Sequence, residues 1–113
     1  MSRGWKEVII GGAHDYQVKT ADSAIPLDFT MTYLSGASNA LTAAATTLAI
    51  GQAGEYIYIG CSNHAAAIAI TVTNCIETNN IFTFAAVGDY IILYCNGQKW
   101  ELVFKTDGVT QSV

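Results

Sequence analysis

Residues Gly88 to Lys105 read GDYIILYCNGQKWELVFK. Gly88-Asp89 opens the stretch as a turn, and Tyr90–Cys95 is rich in the β-branched and aromatic residues that favour a pleated strand. Asn96-Gly97 is the strongest short hairpin signal and predicts a type I′ turn. Lys99–Lys105 is then the returning strand, with Trp100, Leu102 and Phe104 on one face and Lys99, Glu101 and Lys105 on the other. Tyr90–Cys95 differs from its partner. It sets Tyr90, Ile92 and Tyr94 on one face and Ile91, Leu93 and Cys95 on the other, so neither face is plainly polar.

The same grammar continues outward from this hairpin. Ile81–Phe84 follows the Asn79-Asn80 turn. Ala66–Thr73 alternates Ile68, Ile70 and Val72 with Ala67, Ala69 and Thr71. Glu55–Ile59 lies between Gly54 and Gly60 and is again two-faced, with Tyr56 and Tyr58 opposite Ile57 and Ile59. Thr46–Ile50 is a short strand. Leu27, Phe29, Met31 and Tyr33 alternate with Asp28, Thr30 and Thr32, which predicts that the first set is buried. Pro26 holds Ile25 extended, and Tyr16–Thr20 is a short polar strand. Ser38–Ala49 is interrupted by Thr42, Thr46 and Thr47 and allows one helical turn at most. About eight short antiparallel strands with little or no helix predict an all-β, single-domain sandwich or barrel of jelly-roll type. Residues 26–113 would form that domain, with 1–25 as an N-terminal arm or edge strand.

Composition narrows the function. The 113-residue chain is 51% apolar and 12% charged, with a formal net charge of −4. Fourteen charged residues serve a folded surface of roughly 6,000 Å², so each covers roughly 400 Å². A lone monomer is poorly matched to that charge density. Five basic residues without a cluster give no nucleic-acid footprint. Threonines and serines break the uncharged run from Phe29 to Gly54, so a membrane span is not expected. Val8–Ile10 is far short of a signal-peptide core.

Few residues suggest chemistry. Cys61, Cys75 and Cys95 are an odd set with no C-x-x-C spacing, which reads as buried thiols in a reducing compartment rather than a disulfide framework or zinc site. Cys61 stands three residues from His64, which could suggest a nucleophile–base pair, but on a strand-to-turn segment that spacing does not by itself bring them together, and a polar turn is the expected reading. His14-Asp15 stands apart from both. Gly11-Gly12 and Gly51–Gly54 do not open helices, as a phosphate loop must. The expectation is no enzyme, no cofactor and no metal.

The aromatic residues carry more. Tyr is enriched at interfaces because it is amphipathic and loses little entropy on ordering. Tyr56, Tyr58, Tyr90 and Tyr94 are therefore candidates for a subunit interface, the alternative being central strands under a loop. Arg3, Trp5 and Lys6 sit in a segment too small to bury Trp5 within itself. Trp5 either completes the chain's own sheet or anchors a partner, and Trp and Arg are the types enriched in binding hot spots.

From Leu41 onward the pattern resembles the small β-sandwich modules of tailed-bacteriophage virion proteins. The matching positions are Gly54, Tyr56, Thr71, Val72, Gly88, Asp89, Asn96, Gly97 and Trp100. Such modules occur in head decoration (cement) proteins and in tail fibres. A short chain without a fibrous shaft or repeat favours decoration. The resemblance implies a homotrimer made in the host cytoplasm and seated on the capsid exterior. Its partners would be itself and the major capsid protein, with no nucleic acid and no membrane, and the capsid contacts would fall on Arg3, Trp5 and Lys6. A tail-fibre module that binds a receptor or glycan is the alternative.

Overall fold

The computed structural model of the protein describes residues 16–27 and 30–113. Among them are nine strands and no helix. They are β1 (Tyr16–Lys19), β2 (Met31–Ser35), β3 (Thr47–Leu48), β4 (Glu55–Asn63), β5 (Ile68–Val72), β6 (Ile81–Phe84), β7 (Tyr90–Cys95), β8 (Trp100–Lys105) and β9 (Thr110–Ser112). One sheet runs β1-β2-β4-β7-β8 and the other β3-β5-β6-β9. Their inner faces close on one core, so the fold is a β-sandwich. Ile57, Ile59, Ile91 and Leu93 of the first sheet meet Ile68, Ile70, Phe82 and Phe84 of the second. Trp100 is fully buried, and its indole Nε1 donates to the Ala49 carbonyl at 2.8 Å.

The strands are not antiparallel throughout. β1–β2, β2–β4 and β3–β5 pair in parallel. The chain changes sheet at each step from β2 to β5. A strand in one layer is thus followed by one in the other layer, and the next returns beside the first in the same direction. The opposite layer takes the place of a helical crossover. Antiparallel neighbours in sequence remain at β5–β6, joined by residues 73–80, and at the β7–β8 hairpin, joined by residues 96–99.

Two strands depart from the faces expected, β2 along its length and β8 only beyond its bulge. In β2 the inward residues are Thr32 and Leu34, both fully buried, while Met31 and Tyr33 lie on the outer face with Tyr58. Leu27 is in a turn and the strand starts at Met31, while Asp28 and Phe29 of the expected alternation lie outside the described residues. Thr32 tolerates burial because Gln17 Nε2 donates to its hydroxyl at 2.8 Å. In β8 the register shifts opposite Ile92 and Leu93. That bulge keeps Trp100 and Leu102 inward but turns Phe104 outward and pairs Lys105 with Ile91. The inward Lys105 ammonium donates to the Val109 carbonyl at 3.0 Å. A bulge reverses the side-chain alternation beyond it, and strict alternation cannot foresee one.

The β7–β8 hairpin forms, but not with a type I′ turn. Gly97 has φ +97, whereas Asn96 is not in the left-handed region. The Asn96 side chain supplies the turn instead: its Oδ1 accepts from the backbone N–H groups of Gln98 (2.9 Å) and Lys99 (2.8 Å). A Cβ at Gly97 would also meet the Ala53 methyl at 3.0 Å. Gly97→Val should therefore destabilise the protein by roughly 1–3 kcal/mol. An unchanged denaturation midpoint would contradict the positive φ.

Candidate interaction face

The outer face of the five-stranded sheet collects all six tyrosines of the chain. Register explains how. Tyr56 stands directly across from Tyr94, and their ring centroids are 4.9 Å apart. Tyr58 pairs with Ile92, and Tyr90 pairs with Gly60. Gly60 has no side chain, and a Cβ there would lie 2.8 Å from the Tyr58 ring. Tyr58 thus leans over Gly60 and stacks on Tyr90 at 4.9 Å and 25°. Glycine here clears the space into which a neighbouring ring folds.

From that stack a row of rings crosses every strand of the sheet. Tyr16 of β1 meets Tyr33 of β2 at 5.9 Å, and Tyr33 meets Tyr58 of β4 at 5.9 Å. Tyr90 of β7 meets Phe104 of β8 at 5.6 Å. Met31 and Ile92 lie on the same face, each 9% exposed, and form an apolar floor between the rings. The row is open to solvent at its ends, with Tyr16 55% and Phe104 48% exposed, and Val18 beside Tyr16 is 51% exposed. Edge-to-face and offset contacts of this kind are favourable beyond their buried area, so the rings hold one another in place.

The opposite outer face differs in kind. Ala69, Thr71, Ile81, Thr83, Thr110 and Ser112 share it by register. Thr83, Thr110 and Ser112 are exposed. That is the small, polar surface an antiparallel sheet normally turns to water. One side of the sandwich is therefore built for solvent and the other carries apolar rings.

Crowding is felt by the central phenol. Burial, reinforced by Tyr33 and Tyr90, pushes the Tyr58 hydroxyl up to about 12. Its neutral form is favoured by the fold, so its contribution to stability is complete below the ordinary value of 10.0 and is lost as pH rises towards 12. A tyrosinate absorbance titration should show one phenol ionising late. Tyr58→Phe should remove that step, and its persistence in the variant would contradict the assignment.

The chemistry-bearing residues are used structurally. Cys61 Sγ donates to the Asn63 carbonyl at 3.6 Å, and a His64 ring nitrogen lies 2.7 Å from the Phe84 carbonyl. Each therefore binds a separate backbone group. Burial is the main cause that raises the Cys61 and Cys75 thiols. Cys61, Cys75 and Cys95 are unpaired. Asp89 accepts from the Ala85 and Ala86 N–H groups and from the Thr106 hydroxyl, tying the β6–β7 turn to the turn after β8.

Of the residues expected from sequence, Tyr56, Tyr58, Tyr90 and Tyr94 are brought together on one face. Arg3, Trp5, Lys6 and His14 lie outside the described residues. Tyr16, Tyr33 and Phe104 join the face without having been expected there. Tyr33 belongs to the strand whose faces are inverted, Phe104 to the part of β8 beyond its bulge, and Tyr16 sits on a strand that reads as polar. No family model, curated protein or solved structure matches the chain.

Proposed function

We propose that the protein is a structural, self-associating module whose tyrosine face is its subunit interface. In the virion reading it is a homotrimeric head decoration protein on the capsid exterior. The observation that carries the proposal is the unbroken aromatic row across all five strands of one sheet, half-buried along its middle and open to solvent at both ends. Aromatic residues with an apolar floor and few charges are the composition of an interface core. The sparse charge of the chain adds to this, since association removes surface that few charges keep hydrated.

Such a protein needs no reaction. A rigid trimer that touches several capsid subunits at once gains avidity well beyond a single contact. By binding the closed shell and not its dissociated parts, it stabilises the shell by mass action. The rings also favour association over sugar binding. Tyr58 and Tyr90 stack on each other and the other rings pack tilted or edge on, so fewer ring faces are left free to stack on a flat glycan.

Immunogold labelling of phage particles carrying the protein tests the virion reading. Label distributed over the whole head, in stoichiometric amount, is the expected result. Label confined to the tail end would replace decoration with the tail-fibre alternative. Absence from particles would overturn the virion reading while leaving the interface open to test.

A further inference from the structure

The hairpin that closes β7 onto β8 holds a reactive pair. Asn96 is the only asparagine of the chain followed by glycine, and Asn96, Gly97, Gln98 and Lys99 are all exposed to water. An asparagine side-chain amide is attacked by the backbone nitrogen of the next residue when that residue carries no Cβ to hinder approach. Here the turn adds to the intrinsic reactivity. The Asn96 amide oxygen accepts from the Gln98 and Lys99 N–H groups at 2.9 and 2.8 Å, which folds the side chain forward over the Gly97 peptide. Those two donors polarise the carbonyl and face the oxygen on which negative charge develops during attack, the arrangement of an oxyanion hole. The Gly97 N–H itself points to Cys95 Sγ at 3.4 Å, a weak acceptor that does not hold it firmly.

We propose that Asn96-Gly97 is a self-modification site at which the hairpin converts its own asparagine to aspartate and isoaspartate, with water as the co-reactant. The Gly97 nitrogen bonds to the Asn96 side-chain carbonyl carbon. The bond from that carbon to Nδ2 breaks, and the proton lost from Gly97 balances the one taken up by the departing ammonia. Water then opens the cyclic imide at either carbonyl. Opening at the side-chain carbonyl gives aspartate, and opening at the main-chain carbonyl gives isoaspartate, in which the backbone runs through Cβ. Nothing is oxidised or reduced. Each event adds one negative charge to a chain whose net charge is −4.

The two products differ in consequence. Aspartate keeps an oxygen facing Gln98 and Lys99, and a carboxylate is the stronger acceptor. Isoaspartate lengthens the backbone by one carbon immediately after Cys95, which is fully buried and pairs with Trp100. The second product therefore strains the core at its largest residue.

The test is to incubate the full chain at mildly alkaline pH, folded and in urea, and follow each asparagine by peptide mapping and mass spectrometry. Asn96 is expected to convert first, as a mixture of the two isomers, and at least as fast in the folded chain as in urea. Earlier conversion of another asparagine, or slower conversion of Asn96 in the folded chain, would overturn the proposal. Asn96→Asp should fold with an unchanged or raised melting temperature and release no ammonia from this peptide. Failure of that variant to fold would contradict the carboxylate's place in the turn.

Discussion

Replacing Trp100 by alanine is expected to cost about 3–5 kcal/mol, the range for deleting a buried large aromatic. Native domains are stable by only about 5–15 kcal/mol, so the variant should unfold at far lower denaturant or be unfolded outright. Trp100 is fully buried, and it joins the sheets through its bond to the Ala49 carbonyl. A Cβ on Gly51 would lie 2.9 Å from the indole, so the neighbouring backbone is fitted closely to the ring. Truncation leaves both a cavity and a carbonyl without its donor. Trp100→Phe, which keeps most of the volume but loses the bond, should fall between wild type and alanine. Chemical denaturation measures both, and a small effect of Trp100→Ala would contradict the core assignment.

The second large effect is on association. Tyr58 is at the centre of the aromatic row, where binding energy concentrates in an interface. Tyr58→Arg should weaken assembly by about 2 kcal/mol or more, the threshold of a hot spot. That is about thirtyfold or more in the dissociation constant. Tyr16→Glu, at an exposed end of the row, should weaken assembly with little effect on the fold. Thr83→Arg on the opposite sheet should leave the oligomer intact. Sedimentation of the three variants separates the possibilities. Assembly lost only in Thr83→Arg would move the interface to the other face.

What the sequence disclosed depended on whether local alternation was interrupted. β4 and β7 have continuous two-faced patterns, so the tyrosines of each strand read as interface candidates, and the pairing register puts them on a common side. β6 and β7 were bounded correctly because glycine, asparagine and aspartate turns flank them. β8 misled because its bulge reverses the alternation without a marker residue, and β2 because its strand starts only at Met31, after the turn at Leu27. β9, with the polar sequence TQS, is a strand only because β6 offers it an edge. The parallel pairings β2–β4 and β3–β5 follow from which layer each strand joins, a long-range choice that no local window contains. The full aromatic row was hidden accordingly, since Tyr33 lies on the inverted strand and Phe104 beyond the bulge of β8.

The most direct measurement is the mass of the purified chain in solution at micromolar concentration, by sedimentation equilibrium. The tyrosine face as a subunit interface predicts about three times the 12.0 kDa chain mass, falling towards a single chain in Tyr58→Arg. A wild-type chain that sediments as a monomer would contradict it.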